Sequence, residues 1–401
     1  MLNYQELLAG AEAMQPELTA WRRHIHRHPE LHMDTPLTEQ FICDTLASMG
    51  ILEIRRGVGG HGVSVVIQGS RPGKCLAIRT DCDALPIREE TGLPFAADNG
   101  NMHACGHDAH TAAGLGAAKL LWERREQLTG SVKLIFQPFE EGDGGAKAML
   151  ADGVMENPTV DAAIGFHTGN IMGLQYNSGD VVFTHQPDSA NIFSFKVTFR
   201  GKSAHVCTPH LGVDAVFMAC SAVMNLQEIM NRERDPNDNA ILSVSTIHGG
   251  QRNNIISDTC VIEGTVRGFR REDHRRYVQR IQEICQSVAT MMRGSVEFET
   301  TVDLMATEID NAMHDKFAAM VRNMVPADRI RVYDPIAPGG EDFARFAELV
   351  PAMHFYVCSR PVDGPCYPHH HPKFDIDEST LPISAALLAA FALTWQEDGT
   401  P

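Results

Sequence analysis

The chain reads as an α/β protein: a mostly parallel sheet with helices on both faces, interrupted by an inserted α+β module of ferredoxin-like order. Three observations predict this. Short apolar strands alternate with helical stretches through the first half of the sequence. Side chains able to bind a metal recur just past the ends of those strands. From about residue 191 the order changes to strand, helix, strand, strand, helix, strand. The expected organisation is a metal-binding domain whose first part covers 1–187, an inserted domain over 188–303, and the returning part of the first domain over 304–401.

Residues 4–27 read as a helix that runs into Trp21-Arg-Arg-His-Ile-His-Arg-His-Pro29. Basic side chains suit the last carbonyls of a helix and Pro29 marks its stop, so helix-end chemistry alone accounts for these histidines. A helix at Thr38–Met49 and a strand at Gly62–Ile67 follow. Cys75–Arg79 is a strand that runs out into Thr80-Asp81-Cys82-Asp83. Thr111–Gln127 reads as a helix, Val132–Pro138 as a buried strand ending on Glu140-Glu141, Gly145–Ala151 as a helix, and Asp161–His167 as a strand that ends on a histidine.

Between these elements lies His103-Ala-Cys-Gly-His-Asp-Ala-His110, with three imidazoles, a thiol and a carboxylate in one short run. Cys105 and His107 carry donors that suit zinc and its neighbours, and the intervening glycine lets the backbone turn both toward one point. A lone C-x-H pair carries little weight. Context supplies the rest, because parallel strands joined by helical crossovers share one carboxyl edge, and ligand sites form just outside it. Asp81, Asp83, Cys105, His107, Glu140, Glu141 and His167 are therefore expected to converge on a metal centre.

In the insertion, strands are expected at 193–200, 241–247, 259–269 and 295–302, with helices at 213–234 and 273–293. Beyond it come a helix at Ala312–Met324, the loop Asp334-Pro-Ile-Ala-Pro-Gly-Gly340, a helix from Glu341, an apolar strand at Ala352–Cys358, and Pro368-His-His-His-Pro372. That late histidine run follows a strand and is expected to return to the same edge, where it would supply a last ligand.

At 401 residues the chain has room for two or so domains and a core that needs no staples. A net charge of −17 with no basic block excludes nucleic acid and anionic membrane surfaces as partners. The ten cysteines are scattered singly, several within apolar runs, which favours a reducing compartment. The first twenty-odd residues are too polar for a signal peptide, and the apolar stretch Leu381–Trp395 is too short to span a bilayer. A cytoplasmic protein is expected.

With these residues in view, the sequence resembles the aminoacylase and carboxypeptidase family of di-metal amidohydrolases, in the branch of hippurate hydrolases and auxin-conjugate (indoleacetyl-amino acid) hydrolases. The resemblance rests on Arg79-Thr-Asp-Cys-Asp-Ala-Leu-Pro86, His103–His110, Phe136-Gln-Pro-Phe-Glu-Glu141, Gly201-Lys-Ser-Ala-His205, Asn254, Gly340-Glu-Asp-Phe343 and His370-His-Pro-Lys-Phe374. It implies a di-metal exopeptidase-like fold whose insertion serves as lid and dimerisation domain. It implies that Cys105, His107, Glu141, His167 and His370 hold two divalent ions, zinc or manganese first and cobalt or nickel also compatible. Glu140 corresponds to the general base, and His205 to a histidine that reaches the active site of the partner subunit of a homodimer. Asn254, Arg267 and Gly340 correspond to positions near the substrate's carboxylate. Asp83 fits an acceptor that fixes a ligand imidazole, since metal-bound histidines need their other N–H held.

The implied reaction is hydrolysis of a small N-acyl amino acid or related conjugate, with dipeptidase or carboxypeptidase action as the alternative on the same site. A hydrolase using Cys105 as nucleophile would leave Glu140, Glu141 and His167 without work. A non-catalytic binding module would leave the base and ligands without work. Ser257 departs from the family's usual proline and Cys82 from its methionine, and neither change removes a ligand. The triple histidine leaves His369 and His371 as rivals to His370.

Overall fold

The computed structural model describes residues 2–142, 144–173, 175–185, 187–332 and 339–396. The chain divides into two compact units. One runs up to Asp188 and resumes at Thr307 and again at Glu341; the other comprises Ser189–Ala306 and the segment ending at Gly340. In chain order the strands are β1 (Ile54–Val58), β2 (Gly62–Gln68), β3 (Arg71–Asp81), β4 (Thr129–Gln137), β5 (Ala162–Gly169), β6 (Val181–Phe183), β7 (Asn191–Arg200), β8 (Ala204–His205), β9 (Ile241–Gly249), β10 (Ile255–Ile256), β11 (Thr259–Gly268), β12 (Ser295–Leu304), β13 (Ile330–Val332) and β14 (Ala352–Cys358).

The first unit is built on a sheet in the order β1-β2-β4-β3-β5-β14-β6-β13. Its centre, β4-β3-β5-β14, is parallel, while β1 and β2 run antiparallel at one margin and β6 runs antiparallel to β14. Both faces are covered. Along β3, Leu76 and Ile78 enter one apolar core while Cys75 and Ala77 enter another, and β5 divides in the same way between Ile164 and Ala163. That period of two places the cores on opposite faces, which is why these strands read as continuous apolar runs rather than alternating ones. The larger core holds the helices His107–Glu123 and Leu381–Thr394, both buried nearly all round.

The N-terminal helix expected over 4–27 is two helices, Tyr4–Ala13 and Gln15–Arg27. Pro16 lacks the N–H that would continue the ladder, so the chain restarts at Met14. Helix-end chemistry explains His28, whose Nδ1 lies 2.7 Å from the His24 carbonyl, but not His26. The His26 ring is buried, with Nδ1 2.7 Å from Asp108 Oδ2 and Nε2 3.1 Å from Glu89 Oε1. Arg22, one turn earlier, is buried against Asp108 at 2.8 Å, Asp375 at 2.9 Å and Glu378 at 3.1 Å. The two side chains pin the second helix to the first turn of His107–Glu123 and to the segment after the histidine run. The helix expected from Glu341 is only the short Ala344–Ala347. Most of the preceding loop, 333–338, lies outside the described residues.

The second unit has the order β12-β7-β11-β9, antiparallel throughout, with the helices Ala215–Glu228 and Arg271–Met291 on one face. This is the split βαβ arrangement. Phe193, Phe195, Val197 and Phe199 alternate along β7 to meet both helices. The first helix stops at Glu228 and closes as a π turn, Ile229–Glu233, short of the expected 234. A two-stranded ribbon, β8 with β10, was not legible as strand because each member is only two residues long.

Asp108 is held well below the usual carboxylate range by Arg22 and His26, against the upward push of its burial. Its contribution to stability is therefore complete above the unfolded-state value near 4 and is lost as pH falls through the lower folded-state value. Replacing Arg22 by Met leaves that carboxylate buried with its main cation gone, a loss of about 3 kcal/mol. Urea unfolding at several pH values should show the deficit at neutral pH, narrowing below about pH 4. A deficit independent of pH would assign the effect to packing instead.

Candidate metal centre

The carboxyl edge of β3, β4 and β5 gathers the donors. β3 ends at Asp81, and the next N–H, from Cys82, still bonds the Gln137 carbonyl at the end of β4. Phe139 then adopts φ 55, a left-handed conformation costly for a bulky residue, and turns the chain so that Glu140 and Glu141 come back over the edge. His107 opens its helix directly after Gly106, whose φ of 90 only glycine adopts freely and whose absent Cβ would stand 3.1 Å from Thr168 Cγ2.

Cys105 Sγ lies 3.5 Å from His167 Nε2, and His370 Nε2 lies 3.3 Å from Glu141 Oε1. His107 Nε2 is 4.0 Å from both Glu140 Oε2 and Glu141 Oε1. Donor atoms from Cys105, His107 and His167 lie within 4.8 Å of one another, as do those from Cys105, Glu141 and His370, and from His107, Glu140 and Glu141. Ligands about 2.0–2.3 Å from a tetrahedral ion stand roughly 3.3–3.8 Å apart, so the closest of these separations already match. Two atoms carry the fit: His107 Nε2 and Glu141 Oε1 are buried and have no hydrogen-bond partner. Buried polar atoms are rarely left so, and a cation at this point would satisfy both.

The other ring nitrogens explain why these lone pairs are free. His107 Nδ1 faces the Asp83 carbonyl at 3.0 Å and its Oδ1 at 3.3 Å, so Nδ1 carries the proton. His167 Nδ1 faces the Thr168 carbonyl at 2.6 Å with the same result. Asp83 also accepts the N–H groups of Glu140 at 3.0 Å and Glu141 at 3.3 Å, so one carboxylate orients three candidate residues.

Asp81 is engaged rather than free. One oxygen meets His110 Nδ1, and the other accepts from Arg79 at 2.8 Å. Arg79 is buried, and its guanidinium also reaches Gln137 at 2.9 Å, Asp342 at 2.5 Å and Glu341 at 3.0 Å. Sequence does not reveal this platform, because nothing local pairs Arg79 with the distant Glu341-Asp342. The electrostatics divide the donors. Burial, followed by the carboxylates of Glu341, Glu141 and Asp342, pushes Glu140 well above the usual glutamate range. Burial also pushes the Cys105 thiol well up, so ionising it calls for a cation rather than for a neighbouring base. Burial, with His110 and His369, drives His167 well down and keeps it neutral, as a ligand must be, whereas against its burial His107 is pushed well up by Asp81 and Cys105, so a cation at His107 Nε2 would take the place of a proton.

Four further candidates belong to the second unit. His205 on β8 is exposed, and its Nδ1 accepts the Cys207 N–H at 3.1 Å, so the proton of the neutral ring sits on Nε2. Asn254 is exposed in the turn before β10, Arg267 is half-buried on β11, and Gly340 lies where a Cβ would stand 2.5 Å from Ile192 Cδ1.

A family model described as peptidase family M20/M25/M40 matches residues 77–394. An N-acetyl-L-cysteine deacetylase of Bacillus subtilis is 37% identical over 92% of this chain and 85% of its own length. The IAA-amino acid hydrolase ILR1-like 5 of Arabidopsis thaliana is 33% identical over 98% of this chain and 90% of its own. Among solved structures, a dinuclear metal-binding M20 peptidase from Bacillus subtilis superposes with a TM-score of 0.80 at 30% identity, covering 95% of this chain and 98% of that one.

Changing Asp83 to Asn puts an amide donor against N–H groups that now meet a carboxylate. Competition against a chromophoric chelator should show divalent-cation affinity falling about 10- to 100-fold. Unchanged affinity would mean that Asp83 does not orient the donors.

Proposed function

The chain belongs to peptidase family M20/M25/M40, and we propose that it is a metal-dependent amidohydrolase that splits a small N-acyl amino acid or related conjugate into a carboxylic acid and an amino acid. The observation that carries this reading is a pair of buried atoms that make no hydrogen bond, His107 Nε2 and Glu141 Oε1, the latter with the His370 ring at 3.3 Å and both with Glu140 beside them. The deacetylase and the auxin-conjugate hydrolase both act, by name, on an amide between an acyl group and an amino acid, which supports the substrate class.

On this reading Cys105, His107, Glu141, His167 and His370 hold two divalent ions, zinc or manganese. Bound there, the ions polarise an amide carbonyl and lower the pKa of water. The remaining steps belong to the chain. Glu140 takes the proton of the attacking water and hands it to the leaving nitrogen, and the upward push of burial and of the Glu341, Glu141 and Asp342 carboxylates favours its holding that proton in between. Asp83 holds His107 and both glutamates in register. His205 presents an Nε2–H to the developing oxyanion, with the tautomer set by Cys207. Asn254, Arg267 and Gly340 are the residues we assign to recognition of the substrate's carboxylate. His205 acts in the partner subunit of a homodimer formed through the inserted unit. Among the described residues no helix is long and apolar enough to cross a membrane.

The substrate class is tested with N-acetyl, N-benzoyl and indoleacetyl amino acids alongside dipeptides, before and after chelation and with zinc or manganese returned. Acyl amino acids should be cut best, and activity should vanish with the chelator and recover with metal. Preferential cleavage of dipeptides would make the chain a dipeptidase, and activity that survives complete metal removal would end the metal reading.

The action of His205 across subunits is tested by mixing Glu140→Gln with His205→Ala. Each alone should lose about 10²- to 10⁴-fold in kcat. After subunit exchange the mixed dimer regains one site with both groups intact, so activity should return. No recovery after demonstrated exchange would place His205 in its own subunit's site.

A further inference from the structure

His370 is the ligand on the reading above, which leaves the residue before it without a role. His369 is not idle. Its Nδ1 lies 3.5 Å from Cys105 Sγ, and its Nε2 accepts the backbone N–H of Asn170 at 3.1 Å. A backbone N–H can only donate, so Nε2 must offer its lone pair. The proton of the neutral ring is then on Nδ1, pointing at the sulfur.

The fold makes room for this ring on several sides. Gly169, with φ of 95, ends β5 beneath it, and a Cβ there would stand 2.2 Å from His369 Nε2. Phe374 packs against the ring with centroids 4.6 Å apart, and His167 meets it edge-on at 5.2 Å. A ring held by a glycine vacancy, an aromatic neighbour and a backbone donor has its orientation fixed before any cation arrives. That orientation turns a hydrogen, not a lone pair, toward Cys105.

We propose that His369 is a positioning residue that donates its Nδ1–H to the Cys105 sulfur and thereby weakens that sulfur's electron donation to a bound cation. A thiolate that accepts a hydrogen bond is a less soft donor, and hydrogen bonding around a ligating sulfur is an established lever on metal sites. The consequence is a bias of the site away from strongly thiophilic ions such as cadmium and toward manganese and its neighbours. The proposal rests on Cys105 being a ligand.

The test loads the full-length protein with cobalt(II) and follows the sulfur-to-cobalt charge-transfer band in the wild type, Cys105→Ser, His369→Leu and His369→Gln, with folding checked by circular dichroism. The expected result is a wild-type band that Cys105→Ser abolishes and that moves to longer wavelength in His369→Leu. In His369→Gln, whose amide can still donate, the band should return toward the wild-type position. The ratio of cadmium to manganese affinity should rise in His369→Leu by about fivefold, the size of one hydrogen bond's net contribution. In the unaltered protein, ring nitrogen NMR should show His369 as the Nδ1–H tautomer, a readout that does not depend on any variant folding.

An unmoved band and ratio in a folded His369→Leu, or the opposite tautomer in the wild type, would overturn the proposal while leaving Cys105 a ligand. Loss of a whole equivalent of cobalt from His369→Leu would make His369 a ligand itself and overturn it too. A wild type without any band sensitive to Cys105→Ser would remove both the proposal and the reading of Cys105 beneath it.

Discussion

The Arg79 guanidinium is the interaction on which the carboxyl edge of the sheet depends. It is buried at the end of β3 and makes contact with Asp81, Glu341, Asp342 and Gln137, side chains delivered by β3, β4 and the returning C-terminal segment. A buried cation without these partners would be prohibitively costly, and so would the carboxylates without it. The cluster still carries more negative charge than Arg79 offsets. Burial and Glu341 hold Asp342 up at about 7 against the pull of Arg79, and Glu140 is displaced upward in the same field. The protein has thus assembled an acidic, desolvated edge whose remaining demand is for positive charge.

A second regularity connects the histidines. In each case a fixed main-chain group decides which ring nitrogen keeps its lone pair. Carbonyls of Asp83 and Thr168 take the Nδ1–H of His107 and His167, freeing Nε2 toward the centre. Backbone N–H groups do the reverse for His110, held by Thr168 at 2.8 Å, and for His369, held by Asn170, leaving their Nδ1–H directed at Asp81 and Cys105. The stretch Thr168–Asn170 therefore sorts three imidazoles into one acceptor and two donors. It does so without a charged group of its own, by virtue of where β5 stops.

These facts mark what sequence could and could not show. Strands such as 352–358 and the helix at 145–151 were legible because long apolar periodicity and flanking turn residues determine them. The convergence of Cys105, His107, Glu140, Glu141 and His167 was legible because parallel topology sends strand ends to one edge. The break at Met14 is masked by the apolar period, which continues across it, although Pro16 signals it. His26 looked like a helix-end base because its partners, Glu89 and Asp108, come from distant segments that no local pattern reveals. The placements within the triple histidine were equally hidden: the sequence offers three identical side chains, and only the carbonyl of Ala104, which binds the His370 N–H at 2.9 Å, and the N–H of Asn170, which binds His369 Nε2, distinguish the first two.

The adjacent glutamates show how a single turn separates roles. Glu140 and Glu141 follow the same left-handed Phe139, and their N–H groups are held by the same Asp83 carboxylate. Their side chains then enter opposite fields. Against the upward push of burial, Glu141 is drawn below the usual range by His370 and His107, so it remains an anion fit to bind a cation. Burial and three neighbouring carboxylates push Glu140 up, so it can hold a proton during part of a cycle. Groups of one chemical type whose proton affinities are driven apart are the physical basis for proposing one as ligand and the other as base. Here the division follows from the direction each side chain takes after Asp83 has fixed the backbone, because a strand pair would have pointed consecutive residues to opposite faces of the sheet and lost one of them from the edge.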